Sequence, residues 1–472
     1  MPSAVDRLSA GRPPVVAPPQ AGDPGIALSR RATWAAALIW LAGATALQVF
    51  RQPGEPSWNS IWQEDGGVFL TDALEAPITS IVEPYNAYLH VVPRLVAAGI
   101  APLPLEWAPL LLSASAALIV GLISIYVYRA SAAVLRTQWA RLLLAGLVVL
   151  VPTAGYETNA NIANVHWYLI FAAFWVLIEG PRTRAAVAVG TLIVAASVLS
   201  DPLTGILLPL ALWRGATAKT TLERVVPLVF GVGLAVQVIL GVFEEPVAPY
   251  APSHLGDLPG IYALRVAGSA LVGDQLLDNF WKPYGYAFAI PALVLVALAA
   301  AYGLRALRGR ARWIVALALA LSVTYLAVPL MLRGTENFLD RAEFNLNGSR
   351  YILLPVLFLL TALLVVVDRI QGRLSFGGRL NVQLAVTVFL GFLVLTNYSI
   401  SAVRSAGPRW KTTVAAARDL CRTSDGVAPG ERRPLIGSIP ARRREVGEVR
   451  IPVAPNIPEH PFGVVVDCDR LS

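Results

Sequence analysis

Charge is scarce in this sequence. Asp, Glu, Lys and Arg make up 14% of its 472 residues against 56% hydrophobic ones, and the mean hydropathy is +0.60. A soluble globular chain carries about a quarter charged residues, so that class is excluded and an all-α polytopic membrane protein is indicated. Cysteine is nearly absent: Cys421 and Cys468 both fall in the polar C-terminal part, so their redox meaning depends on which side of the membrane that part faces. The four histidines, His90, His166, His254 and His460, lack metal-ligand spacing, and no HExxH, P-loop or dinucleotide fingerprint occurs. Nor is there an internal repeat of the kind that marks many transporters. The net charge of +8 does not indicate nucleic acid, because most arginines sit in short connections between apolar runs or in the tail, where they report membrane orientation.

The apolar runs themselves set the organisation. Residues 1–29 form a proline-rich leader without hydrophobic periodicity, expected to be disordered. Arg30 and Arg31 precede the first span at 32–50, which is too long and too far from the start for a signal peptide. Further spans are expected near 107–128, 142–154, 165–178, 185–199, 203–213, 225–242, 286–304, 313–332, 351–367 and 382–395, about eleven in all. The stretch 91–105, broken by Pro93, Pro102 and Pro104, reads as a surface or re-entrant helix. If the N-terminus is cytoplasmic, the inside loops carry Arg129, Arg136, Arg141, Arg182, Arg184, Arg214, Lys219, Arg224, Arg305, Arg308, Arg310, Arg312, Arg369, Arg373 and Arg379. The outside loops then carry Glu64, Asp65, Glu157, Asp201, Glu244, Glu245, Asp257, Asp274, Asp278, Glu336, Asp340 and Glu343. A transmembrane unit therefore covers 30–397, with a large first loop at 51–105, and an odd number of crossings leaves 398–472 as a small extracytoplasmic appendage. There Cys421 and Cys468 are expected to pair, the competing reading being two free thiols.

Chemistry-bearing residues concentrate at 62–94. Glu64 and Asp65 repel one another, and partial burial raises the pKa of one toward the value a general base needs; a solvated turn before Gly66 and Gly67 is the plain alternative. Tyr85, Tyr88, His90 and Arg94 follow, able to stack on a sugar or hold a phosphate, or to serve as an interfacial aromatic belt with a snorkelling arginine. On a helix Asn86, His90 and Arg94 would share one face. Glu157, Asn161, Asn164, His166 and Trp167 form a second polar cluster with the amides and aromatic face that a sugar requires, although Asn-rich turns are also helix boundaries. Asp201 before Pro202 is either an intramembrane functional acid or an N-cap. Arg350 with Tyr351 opens a span where a guanidinium can face a lipid-linked phosphate, or can pair with Asp340 or Glu343.

A cytoplasmic N-terminus, many spans, the acidic pair Glu64-Asp65 in the first large outside loop and a surface helix after it together resemble the GT-C glycosyltransferases. That superfamily includes protein mannosyltransferases, aminoarabinose transferases and actinobacterial arabinofuranosyl- and mannosyltransferases. The resemblance covers about 30–395 and implies a sugar moved from a polyprenyl-phosphate donor to a cell-envelope glycan or lipid acceptor on the extracytoplasmic side. It implies that Asp65 is the general base and that Glu64 assists it. Arg350, Arg94 and Tyr351 are candidates for the donor phosphate on the residue reading alone. Some members use a divalent cation and others do not, so the cofactor stays open. A transporter or flippase of a lipid-linked saccharide is the alternative.

Overall fold

The computed structural model describes residues 29–243, 251–342, 344–423, 447–457 and 460–471. The leader at 1–28 and the loop acids Glu244, Glu245 and Glu343 lie outside them, as does the side chain of His460.

Each apolar run expected to span forms a helix. After α1 (Arg30–Val49) the first loop holds α2 (Thr71–Glu75) and α3 (Val91–Ile100); α4 (Ala108–Ala130), α5 (Gln138–Leu150), α6 (Val165–Glu179), α7 (Arg184–Val198), α8 (Leu208–Thr217) and α9 (Thr221–Phe243) follow. Short helices α10 (Leu258–Ile261), α11 (Ser269–Val272) and α12 (Asp274–Tyr284) lead to α13 (Tyr286–Ala306), α14 (Gly309–Arg333), α15 (Arg350–Gln371) and α16 (Phe376–Thr396). The tail adds α17 (Trp410–Thr423) and an antiparallel hairpin of β1 (Glu448–Ile457) and β2 (His460–Asp467). Local chemistry sets the ends: Ser29, Thr137, Thr183 and Ser375 cap α1, α5, α7 and α16 through their hydroxyls, and Gly180 at φ +66° stops α6.

Among the described residues seven helices are long and apolar enough to cross a membrane: α1, the helix through α4, α9, α13, α14, α15 and α16. The central helix α6 is not one of them. Its 15 residues rise roughly 22 Å, short of about 30 Å of hydrocarbon, yet every residue from Val165 to Ile178 is buried, against α4, α7 and α15. The polar segment that leads into it, 151–164, therefore lies inside the bundle, where irregular backbone is tolerated because protein rather than lipid surrounds it.

The two kinds of loop separate to opposite ends. At one end the basic connections meet: Asp368 accepts from the backbone N–H of Arg136 and of Thr137, Arg369 donates to Val134 O, Arg214 and Arg310 both donate to Ile178 O, and Arg373 donates to Ala306 O. Cations placed on the last carbonyls of α6 also suit the negative end of its dipole. At the other end the acidic loops meet one another and the first loop, as the contacts of Asp65, Glu157 and Asp201 below show.

The tail is built into this second end. Trp62 pairs with Ala454, Ala454 N–H donates to Ile61 O, Trp410 Nε1 donates to Leu105 O, and Val465 N–H donates to Thr71 Oγ1. Val449, Ile451 and Val453 on β1, and Val464 and Val466 on β2, alternate inward and join Ile61, Leu70, Trp410 and Val414 in one buried cluster. Gly66 is glycine for this reason: a Cβ there would lie 2.9 Å from both Ile61 and Val453. The glycines after the acidic pair thus serve the approach of the tail, not a solvated turn. Cys421 and Cys468 are joined in a disulfide with Cα atoms 5.5 Å apart, tying α17 to the end of β2 across 47 residues. In the chain-entropy description a loop of that length is worth about 4 kcal/mol. Cys421→Ser with Cys468→Ser should lower the unfolding midpoint in detergent clearly below that of the wild type, and reduction of the wild type should reproduce that loss; an equal midpoint would mean the tail is held without the bond.

Candidate active site

Asp65 opens a π-helix, Asp65–Leu70, a wide turn of the kind found at functional positions. The chain turns its carboxylate inward, where it is 1% exposed and accepts the N–H of Ala163 at 2.8 Å and of Ile162 at 3.2 Å. Burial pushes its pKa up to about 7, against the opposing pull of Arg404 and of the two amides, and with a further push from Glu64. Each oxygen still has a second lone pair. Glu64 beside it is half-buried: Oε1 accepts from Gln63 at 2.8 Å, and Oε2 is buried without a hydrogen-bond partner among the described residues.

The donor loop is strained and pinned. Ala160 adopts φ +48°, unusual for a residue with a Cβ, and its carbonyl accepts from Arg404 Nη1 at 3.0 Å. Asn161 donates to Glu157 O and accepts from Asn164 N–H, while Asn164 Oδ1 accepts from Trp167 Nε1. These two amides therefore hold the turn in shape. Glu157 lies at the start of α15, accepting the N–H of Gly348 and of Arg350, each at 3.0 Å, with its other charge contact to Arg350 Nη1 at 3.7 Å. A carboxylate on a helix N-terminus is favourable by itself. Arg350 accordingly pairs with Glu157, and Asp340 instead accepts from Ala342 N–H. Its guanidinium lies 4.9 Å over the Tyr351 ring, remains part-exposed, and is within electrostatic range of Glu64.

His166, at the first turn of α6, is 3.1 Å from Asp201 and 2.7 Å from Ala163 O. Asp201 also accepts Leu203 N–H at 2.7 Å, so it caps the helix that Pro202 opens and pairs with an imidazole as well. Tyr351 meets Trp167 edge to face at 5.9 Å, and Trp167 in turn lies beside His166.

The segment 85–88 departs from the helical expectation. Tyr85 and Tyr88 exchange backbone hydrogen bonds around Asn86 and Ala87, both at positive φ, so this is a tight reverse turn and α3 begins only at Val91 with Pro93 in its first turn. His90 packs tilted against Tyr88 at 4.2 Å; burial holds its pKa well below the usual imidazole value, and it neighbours His166 at 6.4 Å. Arg94 is buried, pairs with Asp72 at 3.0 Å and lies over Phe69, fastening α3 to α2 and to the π-helix, and it stays within electrostatic range of His90.

The structure thus brings together Glu64, Asp65, Tyr85, Tyr88, His90, Glu157, Asn161, Asn164, His166, Trp167, Arg350 and Tyr351, while Arg94 is taken up by its pairing with Asp72. Two further residues near the cluster have no sequence signal: Arg333, at the end of α14, lies within electrostatic range of Tyr88 and Asp201, and Arg404, from the tail, lies within electrostatic range of Asp65. Among the described residues no three His, Cys, Asp or Glu side chains converge as a metal-ligand set.

No family model matches this chain, and no curated protein does. Among solved structures it is similar to ArnT from Cupriavidus metallidurans in the apo state, with 13% identity over 72% of this chain and 78% of that one, at a TM-score of 0.31.

Proposed function

We propose that this chain is a membrane glycosyltransferase of the GT-C type, moving a sugar from a polyprenyl-phosphate donor to a cell-envelope acceptor on the extracytoplasmic face. The observation that supports it is Asp65: a buried first-loop carboxylate, poised near neutrality, in one cluster with a part-exposed arginine and two aromatic faces. In this reading Asp65 takes the proton of the acceptor hydroxyl as its oxygen attacks the anomeric carbon. The bond from that carbon to the phosphate oxygen breaks, and polyprenyl phosphate leaves with the electron pair, with inversion. Arg350 faces the charge that develops on the phosphate, and Tyr351, Trp167 and Tyr88 offer ring faces to the sugar. In this reading Arg94 serves the loop rather than the phosphate, being 1% exposed and paired with Asp72.

The test is a transfer assay on purified protein with radiolabelled polyprenyl-phosphate sugars and a cell-envelope extract. Label moving into the extract supports the reading. Label that stays on the lipid with every donor, while crossing vesicle membranes, would favour a transporter. Arg350→Lys keeps the charge but loses the planar fork, and initial rates should fall about tenfold or more; an unchanged rate would remove Arg350 from the phosphate.

A further inference from the structure

We propose that His166 and Asp201 are a positioning pair for Asp65, acting through the backbone of Ala163. The contacts form one chain. His166 Nδ1 lies 2.7 Å from Ala163 O, Nε2 lies 3.1 Å from Asp201 Oδ2, and the N–H of the same Ala163 donates to Asp65 at 2.8 Å. A carbonyl oxygen only accepts, so Nδ1 carries the imidazole proton and the tautomer is fixed. Nε2 then presents a lone pair, which a protonated Asp201 satisfies. Such a pair is neutral, which suits two side chains at 7% and 3% exposure better than two separated charges do. Asp201 is itself anchored by Leu203 N–H. Ala163 is therefore held from both sides, three residues after the left-handed Ala160, in a loop that would otherwise relax.

Other titratable groups surround these residues without joining them by hydrogen bonds among the described contacts. Asp65 faces Glu64 and, from the tail, Arg404; His166 faces Arg350 and His90; Asp201 faces Arg333, Tyr88 and Tyr325. The Ala163 route is the link between the pair and Asp65 among the described contacts. Because the two amide donors favour the ionised carboxylate, loosening Ala163 raises the protonation midpoint of Asp65.

The measurement is pH-difference infrared spectroscopy of the purified full chain, following the protonated-carboxyl band assigned to Asp65 by its loss in Asp65→Asn. His166→Gln keeps a group near Asp201 but vacates the Nδ1 position, and Asp201→Ala strips Nε2 of its partner; each should raise the midpoint by about one unit. His166→Asn places an amide N–H where Nδ1 was but gives up the reach to Asp201, and should raise the midpoint by less than His166→Gln does. A midpoint unmoved in both His166→Gln and Asp201→Ala, or moved as far in His166→Asn as in His166→Gln, would overturn the proposal. Its kinetic consequence rests on the reading of Asp65 as the base, but the infrared midpoint needs no turnover. A wild type without transfer activity that still shows these midpoints would refute that reading and keep this one.

Discussion

Asp65→Asn lowers sugar transfer by about 10³-fold or more, within the range that a positioned general base contributes. The amide accepts no proton at neutral pH. It also cannot satisfy Ile162 and Ala163 together, because its NH₂ faces one of those two N–H groups. Some loss of stability should therefore accompany the loss of turnover, and donor binding measured by equilibrium titration is the control that separates them. In the wild type the rate should rise with pH through about 7, since the base works ionised and Asp65 titrates there. Stability should run the other way. A carboxylate whose folded pKa lies above its ordinary value favours the folded state in its protonated form, so that contribution is present below about pH 4 and is lost as pH rises through about 7. Opposite slopes of activity and unfolding midpoint between pH 5 and 7 would identify Asp65 in both. Glu64→Gln, which removes only the neighbour, should cost about tenfold. If Glu64→Gln loses as much as Asp65→Asn while keeping its fold, Glu64, with its bare buried oxygen, is the base and Asp65 its anchor.

The bundle and much of the cluster were legible in sequence because each depends on local pattern. Apolar runs must become helices once water is absent, and arginine-rich and acidic connections were bound to gather at opposite ends once the crossings alternated. Glu64, Asp65, His166, Trp167 and Arg350 were visible as polar residues beside those runs. Asp201 was offered as either a cap or a functional acid, and it makes both kinds of contact, since one carboxylate oxygen serves Leu203 and the other His166. What stayed hidden is non-local. Spacing suggested one helical face for Asn86, His90 and Arg94, but the chain takes positive φ at Asn86 and Ala87 and reverses there, and α3 begins only after His90. Asp72, 22 residues before Arg94, gave no periodic hint of its pairing. The tail read as an appendage because nothing in its composition says that β1 lies along Trp62 or that Arg404 enters the bundle.

Arg404→Leu is the strongest test of that last point. The guanidinium is 3% exposed and donates to Ala160 O, to Ser57 O and to Ser60 O, with further bonds to the hydroxyls of Ser60 and Ser113. Ser57 O keeps a donor in Ser113 when Arg404 is gone, but Ser60 O and Ala160 O each lose a buried donor. Breaking so dense a buried charged network costs roughly 3–5 kcal/mol, which thermal unfolding of purified protein should register as a large fall in midpoint. The same change removes the cation that opposes the rise in the Asp65 pKa, so the pH–rate midpoint should climb above about 7 in whatever fraction stays folded. Arg404→Lys restores a charge but only three donors from a point, and should fall between the two in stability while recovering most of the pH midpoint. Loss of stability without a shifted pH midpoint would make the tail a brace for the first loop alone. Both effects together would make it part of the catalytic wall, since the residue that fastens Ala160 is then also the one that sets the charge of Asp65. A wild-type value for both would detach the tail from the site altogether.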